Sequence, residues 1–464
     1  MRLKQFTANF FVATSLAVVV FVWHGSALSG YWRFDDPQIL DFSLFHSIWG
    51  AFYSPEVWQR LGVPFVTPLL TLSYGVDIWL FGLSPYGFYL HHLAILFLAA
   101  WLTYCLLLRW MSVLWAGLGS LLFLSGFPVM VVAQQLMTRH YVEGLIFAII
   151  ALLCFFESAG RYRWLAWVGG LSYLIAMTAK EVYVPLIFLL FVLEPANIGS
   201  KKLWWWRVAP FLLAVIIYTP WRLYMLGGIG GYSPQILPSP GAVMQFVAAL
   251  PHLVFAHNGL GWGASFLVVV LLLAGVRRNV IRPWALAASI ALLVGPLLPV
   301  VPLISIPVGD EYFIVHRYLF LPWWALSCAL VLVLSKLSVA AWHQGIPSKK
   351  WVLTLLFLSY FVLIGATVQQ REARCFNELV AENEHVYHLA WHGSKADHVV
   401  IQREFVPYLD KMFGHVARIR GISPSEMPRV HEPHLHEPRV GVPANTNVNV
   451  WGYSPRSCGL DVLP

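Results

Sequence analysis

Long apolar runs dominate this chain of 464 residues and constrain its fold more than any other feature. A helix needs roughly 20 apolar residues to cross a bilayer, and eleven segments approach that length. Charged residues make up only 11% of the chain, against about 25% in soluble domains, so they cannot cover a water-facing surface. We therefore predict an all-α polytopic membrane protein. The predicted spans are residues 7–28, 86–108, 112–133, 142–159, 164–179, 181–195, 208–226, 262–276, 283–302, 317–335 and 351–368.

The basic residues indicate how these spans are oriented. With the N-terminus in the cytoplasm, the alternate loops hold fourteen of the twenty Lys and Arg residues before position 369, against two acids, Glu157 and Glu194. This distribution satisfies the positive-inside rule, on the condition that residues 239–261 do not cross the membrane. The net charge of +8 is therefore an orientation signal, and we expect no nucleic-acid partner.

Two regions follow from this topology. Residues 1–368 form the predicted transmembrane domain, with a first outer loop at residues 29–85, and residues 369–464 form a small segment outside the membrane. The predicted location is a bacterial inner membrane, with a cytoplasmic N-terminus and a periplasmic C-terminus. The sequence has no Asn-x-Ser/Thr glycosylation site, which argues against a eukaryotic secretory membrane. The endoplasmic reticulum membrane is the alternative location.

The predicted outer face of the membrane domain carries charges that topology does not require. Nine acids lie there, together with six basic residues that the positive-inside rule leaves unexplained. Ionisable groups at the ends of membrane spans are expensive and usually functional. The sequence therefore predicts a functional site on the outer face. The six basic residues are Arg33, Arg60, Arg139, Lys180, Arg222 and Arg317.

Two adjacent carboxylates, Asp35 and Asp36, follow the first predicted span. Neighbouring like charges raise the pKa of one member of such a pair, which suits a general base acting on an acceptor hydroxyl. Alternatively, an Asp caps the helix that begins near Pro37, and both roles can hold at once. Together with Asp41, the pair could also bind Mg²⁺ or Mn²⁺. Downstream, the aromatic-rich residues 42–58 and 66–82 are predicted to form helices along the membrane interface.

Four stretches carry a resemblance to a known family: Phe34-Asp35-Asp36, residues 67–92, Ala179-Lys180-Glu181 and residues 315–322. In their order and predicted outward placement, the chain resembles the GT-C superfamily of integral-membrane glycosyltransferases, which use sugars linked to polyprenyl phosphate. Within it, the chain is most similar to protein O-mannosyltransferases of the transmembrane-and-TPR type and their bacterial relatives. It departs from that pattern in having no TPR repeats, and its 96-residue tail has no counterpart there.

The resemblance implies displacement of polyprenyl phosphate from the anomeric carbon of a donor sugar, a hexose or a pentose. Asp35 is then the leading base, with Asp36 as its partner, and Arg317 is the first choice for the lipid phosphate, because a guanidinium can bind two oxygens. For Lys180 and Glu181, a structural ion pair is an equal alternative. No metal or other cofactor is required, although Mg²⁺ or Mn²⁺ could bind. The remaining candidate substrate-binding residues are Arg139, His140, Lys180, Glu181, Arg222, Tyr232, Glu311, His316 and Tyr318.

The nature of the acceptor separates the alternatives that stay open. We expect O-glycosylation of Ser or Thr in an exported or surface protein such as a pilin, with lipid A or a cell-envelope glycan as the other acceptor. A lipid or solute transporter is the rival outside enzymes, and the lack of an inverted repeat argues against it. The expected partners are thus a polyprenyl-phosphate-linked sugar, an acceptor protein or glycan, and membrane lipids.

Overall fold

A computed structural model describes most of the membrane domain and part of the tail. Five described helices are long and apolar enough to cross a membrane, and one bent pair would make a sixth. The prediction of a helical membrane protein is confirmed at this level, whereas the predicted spans at 283–302 and 351–368 lie outside the described residues. The described residues are 2–63, 65–160, 162–192, 201–228, 240–255, 269–270, 273, 276–277, 316–343, 371, 373, 376–377, 380, 384–395, 398–400, 406–431 and 448–450.

Proline starts many of the helices. It stands within the first two positions of several of them, where its fixed φ suits a helix and its missing N–H has no partner to lose; among these are the helices that begin at residues 36, 55, 68, 85, 127 and 240. The helices are α1 (Arg2–His24), α2 (Asp36–Phe45), α3 (Pro55–Gln59), α4 (Pro68–Phe81), α5 (Pro85–Leu107), α6 (Val113–Leu124), α7 (Phe127–Ala133), α8 (Arg139–Glu157), α9 (Leu165–Ala179), α10 (Ile187–Val192), α11 (Lys201–Leu226), α12 (Pro240–Phe255), α13 (Phe320–His343) and α14 (Val406–Arg420).

Helix α8 lies at the centre of the described bundle. It packs against α5 and α9, α9 packs against α11, and α6 packs against both α5 and α13. Glycines permit the closest of these approaches: Gly170 of α9 faces the backbone of Pro210 in α11, and Gly144 of α8 faces the ring of Tyr183. These contacts hold the N-terminal end of α8 next to the first outer loop.

Two predicted elements differ from the structure because of internal breaks. Residues 42–58 do not form one helix: α2 ends at Phe45, a 3₁₀ turn follows at Gly50–Phe52, and α3 begins at Pro55 with Ser54 as its cap. The predicted span 112–133 is bent by 63° between α6 and α7, where Gly126 lies against Trp323. The segment 66–82, by contrast, contains the helix α4.

The helix α12 bears on the predicted topology. Its described part covers 16 residues, Pro240–Phe255, and the residues on both sides of it lie outside the described ranges. The condition that residues 239–261 do not cross stays a prediction.

The tail contains a small sheet, so the chain is not purely α-helical. Strands β1 (His398–Val400), β2 (Arg429–His431) and β3 (Val448–Val450) form a parallel sheet in the order β2-β1-β3. Val399 pairs with Val430 on one side and with Asn449 on the other. The residues beyond position 421 are rich in Pro, Asn and Gly, a composition that does not predict the strands β2 and β3.

The tail helix α14 packs on α2, so the described part of the tail contacts the first loop. The orientation of the chain and the number of spans beyond the described helices stay predictions.

Candidate functional site

The acid pair begins at a strained turn. Phe34 has a φ of 46°, in the left-handed region that bulky residues rarely adopt. Asp35 occupies the N-cap position of α2 without a side-chain capping bond, and Asp36 is the first helical residue. This turn directs the two carboxylates into different surroundings.

Asp36 is completely buried. One of its carboxylate oxygens accepts the backbone N–H of Arg33 at 2.8 Å, and the other accepts the hydroxyl of Tyr74 at 2.8 Å. Burial raises the pKa of Asp36 to about 7, an effect increased by the nearby charge of Asp35 and opposed by these two hydrogen bonds. Asp36 thus fixes the turn and has no oxygen free for a substrate.

Asp35 is only half-buried. Its Oδ1 accepts the hydroxyl of Tyr408 in the tail at 2.9 Å. Among the residues that the structure describes, no donor reaches Oδ2. Asp35 is therefore the member of the pair whose carboxylate can still accept a proton from another molecule.

Residues on both sides of the acid pair are bound by the tail. Arg33 donates from Nε to Glu384 at 2.6 Å and from a terminal nitrogen to Asn377 at 3.1 Å. Asp41 accepts from Arg418 Nε at 2.6 Å and contacts His415 Nδ1 at 2.7 Å. Arg33 and Asp41 therefore have structural roles, and their partners could not be predicted from the sequence.

Asp41 faces the tail, which bears on the suggested cation site. The described part of the chain contains no group of three or more His, Cys, Asp or Glu side chains that could hold a metal ion. Binding of Mg²⁺ or Mn²⁺ stays a prediction, and the proposed reaction does not use a metal ion.

Arg139 connects the acid pair to the rest of the site. It is completely buried, forms an ion pair with Asp77, and donates to the Phe88 carbonyl at 2.7 Å. Its guanidinium also lies 5.3 Å from the ring centre of Tyr74, the residue that binds Asp36. Arg139 is therefore held by protein groups and supports the site from behind.

The predicted candidates His140, Lys180 and Arg317 come together beside Arg139. They lie close enough for their charges to interact, although they are far apart in sequence. The ring of Tyr141, next to His140, lies 6.3 Å from that of Tyr318. The end of α9, the start of α8 and the turn before α13 therefore meet in one cluster, which we call the cation cluster (His140, Lys180, Glu181, Arg317 and Tyr318).

Lys180 and Glu181 form the ion pair that was one of the two expectations for them. Their charged atoms are 3.6 Å apart, and both side chains are largely buried. Lys180 Nζ also lies 3.7 Å from the ring centre of Phe65, so the first outer loop contacts the cluster. A structural role for this pair does not exclude contact with an anion.

His140 is buried at 6% exposure. The backbone of Met137 lies near its ring, but neither ring nitrogen makes a hydrogen bond of normal geometry within the described residues. Arg317 contacts the hydroxyl of Tyr318 at 3.3 Å.

The remaining candidates are placed as follows. Arg222 and Glu181 both lie near the Tyr218 hydroxyl, which puts Arg222 at the edge of the cation cluster. His316 is buried, with its ring 4.5 Å from that of Phe127. Tyr232 and Glu311 lie outside the described residues.

The two tyrosines that donate hydrogen bonds to the acid pair were not predicted from the sequence. Tyr74 and Tyr408 each donate to one of the two carboxylates, but they lie 38 and 373 positions away from them in the chain. A tyrosine in an aromatic-rich helix gives no local signal of such a bond. The tail has no recognisable motif. Its charged residues were the one sequence feature that indicated a contact with the loop.

The described residues thus include a half-exposed carboxylate, Asp35, and a separate group of basic side chains, His140, Lys180 and Arg317. Tyr74 connects Asp36 to Arg139, which precedes His140 in the chain. A carboxylate of this kind can take a proton from a hydroxyl, and basic side chains can stabilise an anion. No family model and no curated protein matches this sequence.

Proposed function

We propose that this protein is a glycosyltransferase that moves a sugar from a polyprenyl-phosphate donor to a hydroxyl acceptor on the outer face of the membrane. The observation that supports this most is Asp35, whose Oδ2 has no donor among the described residues, in a structure that also brings His140, Lys180 and Arg317 together. A transferase of this kind needs both a base for the acceptor and a binding site for the departing phosphate.

In the proposed reaction, Asp35 Oδ2 accepts the proton of the acceptor hydroxyl. The acceptor oxygen forms a bond to the anomeric carbon of the sugar as the bond from that carbon to the phosphate oxygen breaks. The polyprenyl phosphate leaves with the electron pair, and Arg317, Lys180 and His140 stabilise its charge. Such a phosphate is a good leaving group, so no general acid is needed.

Burial of the cation cluster supports its role in phosphate binding. In a low-dielectric site, charge-assisted hydrogen bonds to phosphate are strong, and a guanidinium such as that of Arg317 can hold two oxygens at once. Lys180 is already paired with Glu181. We therefore assign the main phosphate contact to Arg317 and a supporting contact to His140.

We propose a bacterial inner membrane as the location, with the acid pair on the periplasmic side. The acceptor we propose is a Ser or Thr hydroxyl of an exported protein, with lipid A or an envelope glycan as the alternative. The tail packs on the first outer loop through α14 and α2. This contact supports a substrate site outside the cytoplasm, because the predicted basic loops lie on the opposite side of the membrane.

Release of polyprenyl phosphate tests the proposal. The full chain in nanodiscs would receive a panel of short-chain polyprenyl-phosphate hexoses and pentoses, with a Ser/Thr peptide or lipid A as acceptor. We expect Asp35→Asn to lower transfer by about 10²–10⁴-fold. Asp410→Asn, an exposed carboxylate on the tail helix, is the matched control and should transfer like the wild type. Full activity of Asp35→Asn would refute the assignment of the base.

A further inference from the structure

The tail reaches the acid pair through two tyrosines. Tyr408 of α14 donates its hydroxyl to Asp35 Oδ1 at 2.9 Å. Tyr387 donates its hydroxyl to the carbonyl oxygen of Phe34 at 2.7 Å, at the residue with the left-handed backbone. The tail therefore contacts both the carboxylate and the turn that directs it.

Only one oxygen of Asp35 is engaged. Tyr408 binds Oδ1, while Oδ2 has no donor within the described ranges and Asp35 stays half-exposed. A carboxylate oxygen has two lone pairs, so a single donor on Oδ1 fixes the group without blocking it. This geometry favours orientation of Asp35 over occlusion of it.

Tyr408 is suited to be a permanent donor. Burial raises the pKa of its hydroxyl far above the usual value, and the nearby Tyr387 and Asp35 add to this effect. The phenol therefore keeps its proton at every physiological pH. A donor that never ionises gives Asp35 the same partner throughout the pH range of catalysis.

The position of Tyr408 is fixed on both sides. Glu384, near Tyr387 in the tail, binds Arg33 just before the acid pair, and Arg418, ten residues after Tyr408, binds the buried Asp41 just after it. These two ion pairs hold the tail against the loop at both ends of the site. Tyr408 is thus presented by a segment that cannot shift independently of Asp35.

We infer that Tyr408 is a positioning residue for the base: its hydroxyl holds Asp35 so that Oδ2 faces the acceptor, and the tail thereby completes the transferase site. This inference rests on the proposed function and extends it to two tail residues, Tyr387 and Tyr408. It assigns a role to a segment that has no counterpart in the resemblance described above.

The test is Tyr408→Phe, which removes only the hydroxyl, with Tyr53→Phe as the control because Tyr53 is 68% exposed in the same loop. We expect Tyr408→Phe to lower kcat about tenfold, with the KM for the donor unchanged. The double variant with Asp35→Asn should be no slower than Asp35→Asn alone, because the hydroxyl acts through that carboxylate. An unchanged rate, or a faster rate that indicates an occluding role, would overturn the inference.

A second measurement does not depend on turnover. Labelling of Asp35 with a carbodiimide and an amine nucleophile, followed over time at one pH by mass spectrometry, reports how accessible its carboxylate is. The labelling rate should rise in Tyr408→Phe, because Oδ1 loses its donor, and stay at the wild-type value in Tyr53→Phe. Equal rates would overturn the positioning role even if transfer is established, whereas a changed rate in a protein that transfers no sugar would refute only the proposed function.

Discussion

Asp35 and Asp36 carry the same side chain, yet their surroundings give them different chemistry. Asp36 is fully buried and both of its oxygens accept hydrogen bonds, whereas Asp35 is half-buried and binds one tyrosine. The more perturbed carboxylate is therefore the one that stabilises the turn. The accessible carboxylate is the one placed to react.

The pH dependence of unfolding tests the burial of Asp36. Burial raises its pKa from 3.8 to about 7, so the folded protein holds a proton that the unfolded chain releases. Stability should fall as the pH rises from about 4 to about 7, by up to about 4 kcal/mol. We expect Asp36→Asn to reduce the difference in Tm between pH 5 and pH 8, measured in detergent. Asp410→Asn should keep the wild-type difference, and an equal difference in Asp36→Asn would contradict the burial of a titrating carboxyl.

Sequence reasoning at this scale finds residues but not their partners. Four candidates predicted from short motifs lie together in the structure. They are Lys180, Glu181, Arg317 and Tyr318. Arg33 and its partner Glu384 are separated by 351 positions. The pairing of such distant groups depends on the whole fold, so no local pattern encodes it.

The helices show a similar division between what is encoded locally and what is not. Apolar length predicts the existence of α5, α8 and α11, and proline positions account for several starts. The break between α6 and α7 was not predicted, because Gly126 and Pro128 lie inside a run that is apolar throughout. The close approach of Trp323 to Gly126 is a tertiary contact that favours the bend.

The attachment of α14 to the first loop can be tested by charge reversal. Arg418 binds the buried Asp41 with two nitrogens, so Arg418→Glu places two like charges together. We expect hydrogen exchange within residues 406–420 to become about tenfold faster or more. Lys411→Glu reverses an exposed charge on the same helix and should leave exchange unchanged. Wild-type protection in Arg418→Glu would show that α14 is held by other contacts.

At the scale of the whole molecule, the contact between α14 and α2 predicts that the tail and the first loop lie on the same side of the membrane. Cysteine variants at Tyr53 and Asp410, made after the native Cys375 and Cys458 are replaced by Ser, should react with an impermeant maleimide from the outer side of sealed cells. A cysteine at Arg163, in a predicted cytoplasmic loop, should stay unlabelled until the cells are opened. Labelling of positions 53 and 410 from opposite sides would contradict the packing of α14 on α2.

One face of the molecule carries the acid pair, the cation cluster and the part of the tail that contacts the acid pair. The opposite end of α8 carries different charges: Arg109 pairs with Glu157, and Arg207 donates to Ser158 at 2.9 Å. In the described part of the chain, the first face carries the half-exposed Asp35 and the grouped side chains His140, Lys180 and Arg317. The central claim is that this face binds a lipid-linked phosphate and activates a hydroxyl beside it.

The most direct test measures donor binding and turnover in the same nanodisc preparation. With a polyprenyl-phosphate sugar, we predict that Asp35→Asn keeps the donor Kd of the wild type and loses turnover by about 10²–10⁴-fold. Arg317→Ala should raise the donor Kd by about tenfold or more, and Arg60→Ala, at an exposed site in the first loop, should change neither quantity. Normal turnover in Asp35→Asn together with unchanged donor binding in Arg317→Ala would contradict the assignment of this face as the transferase site.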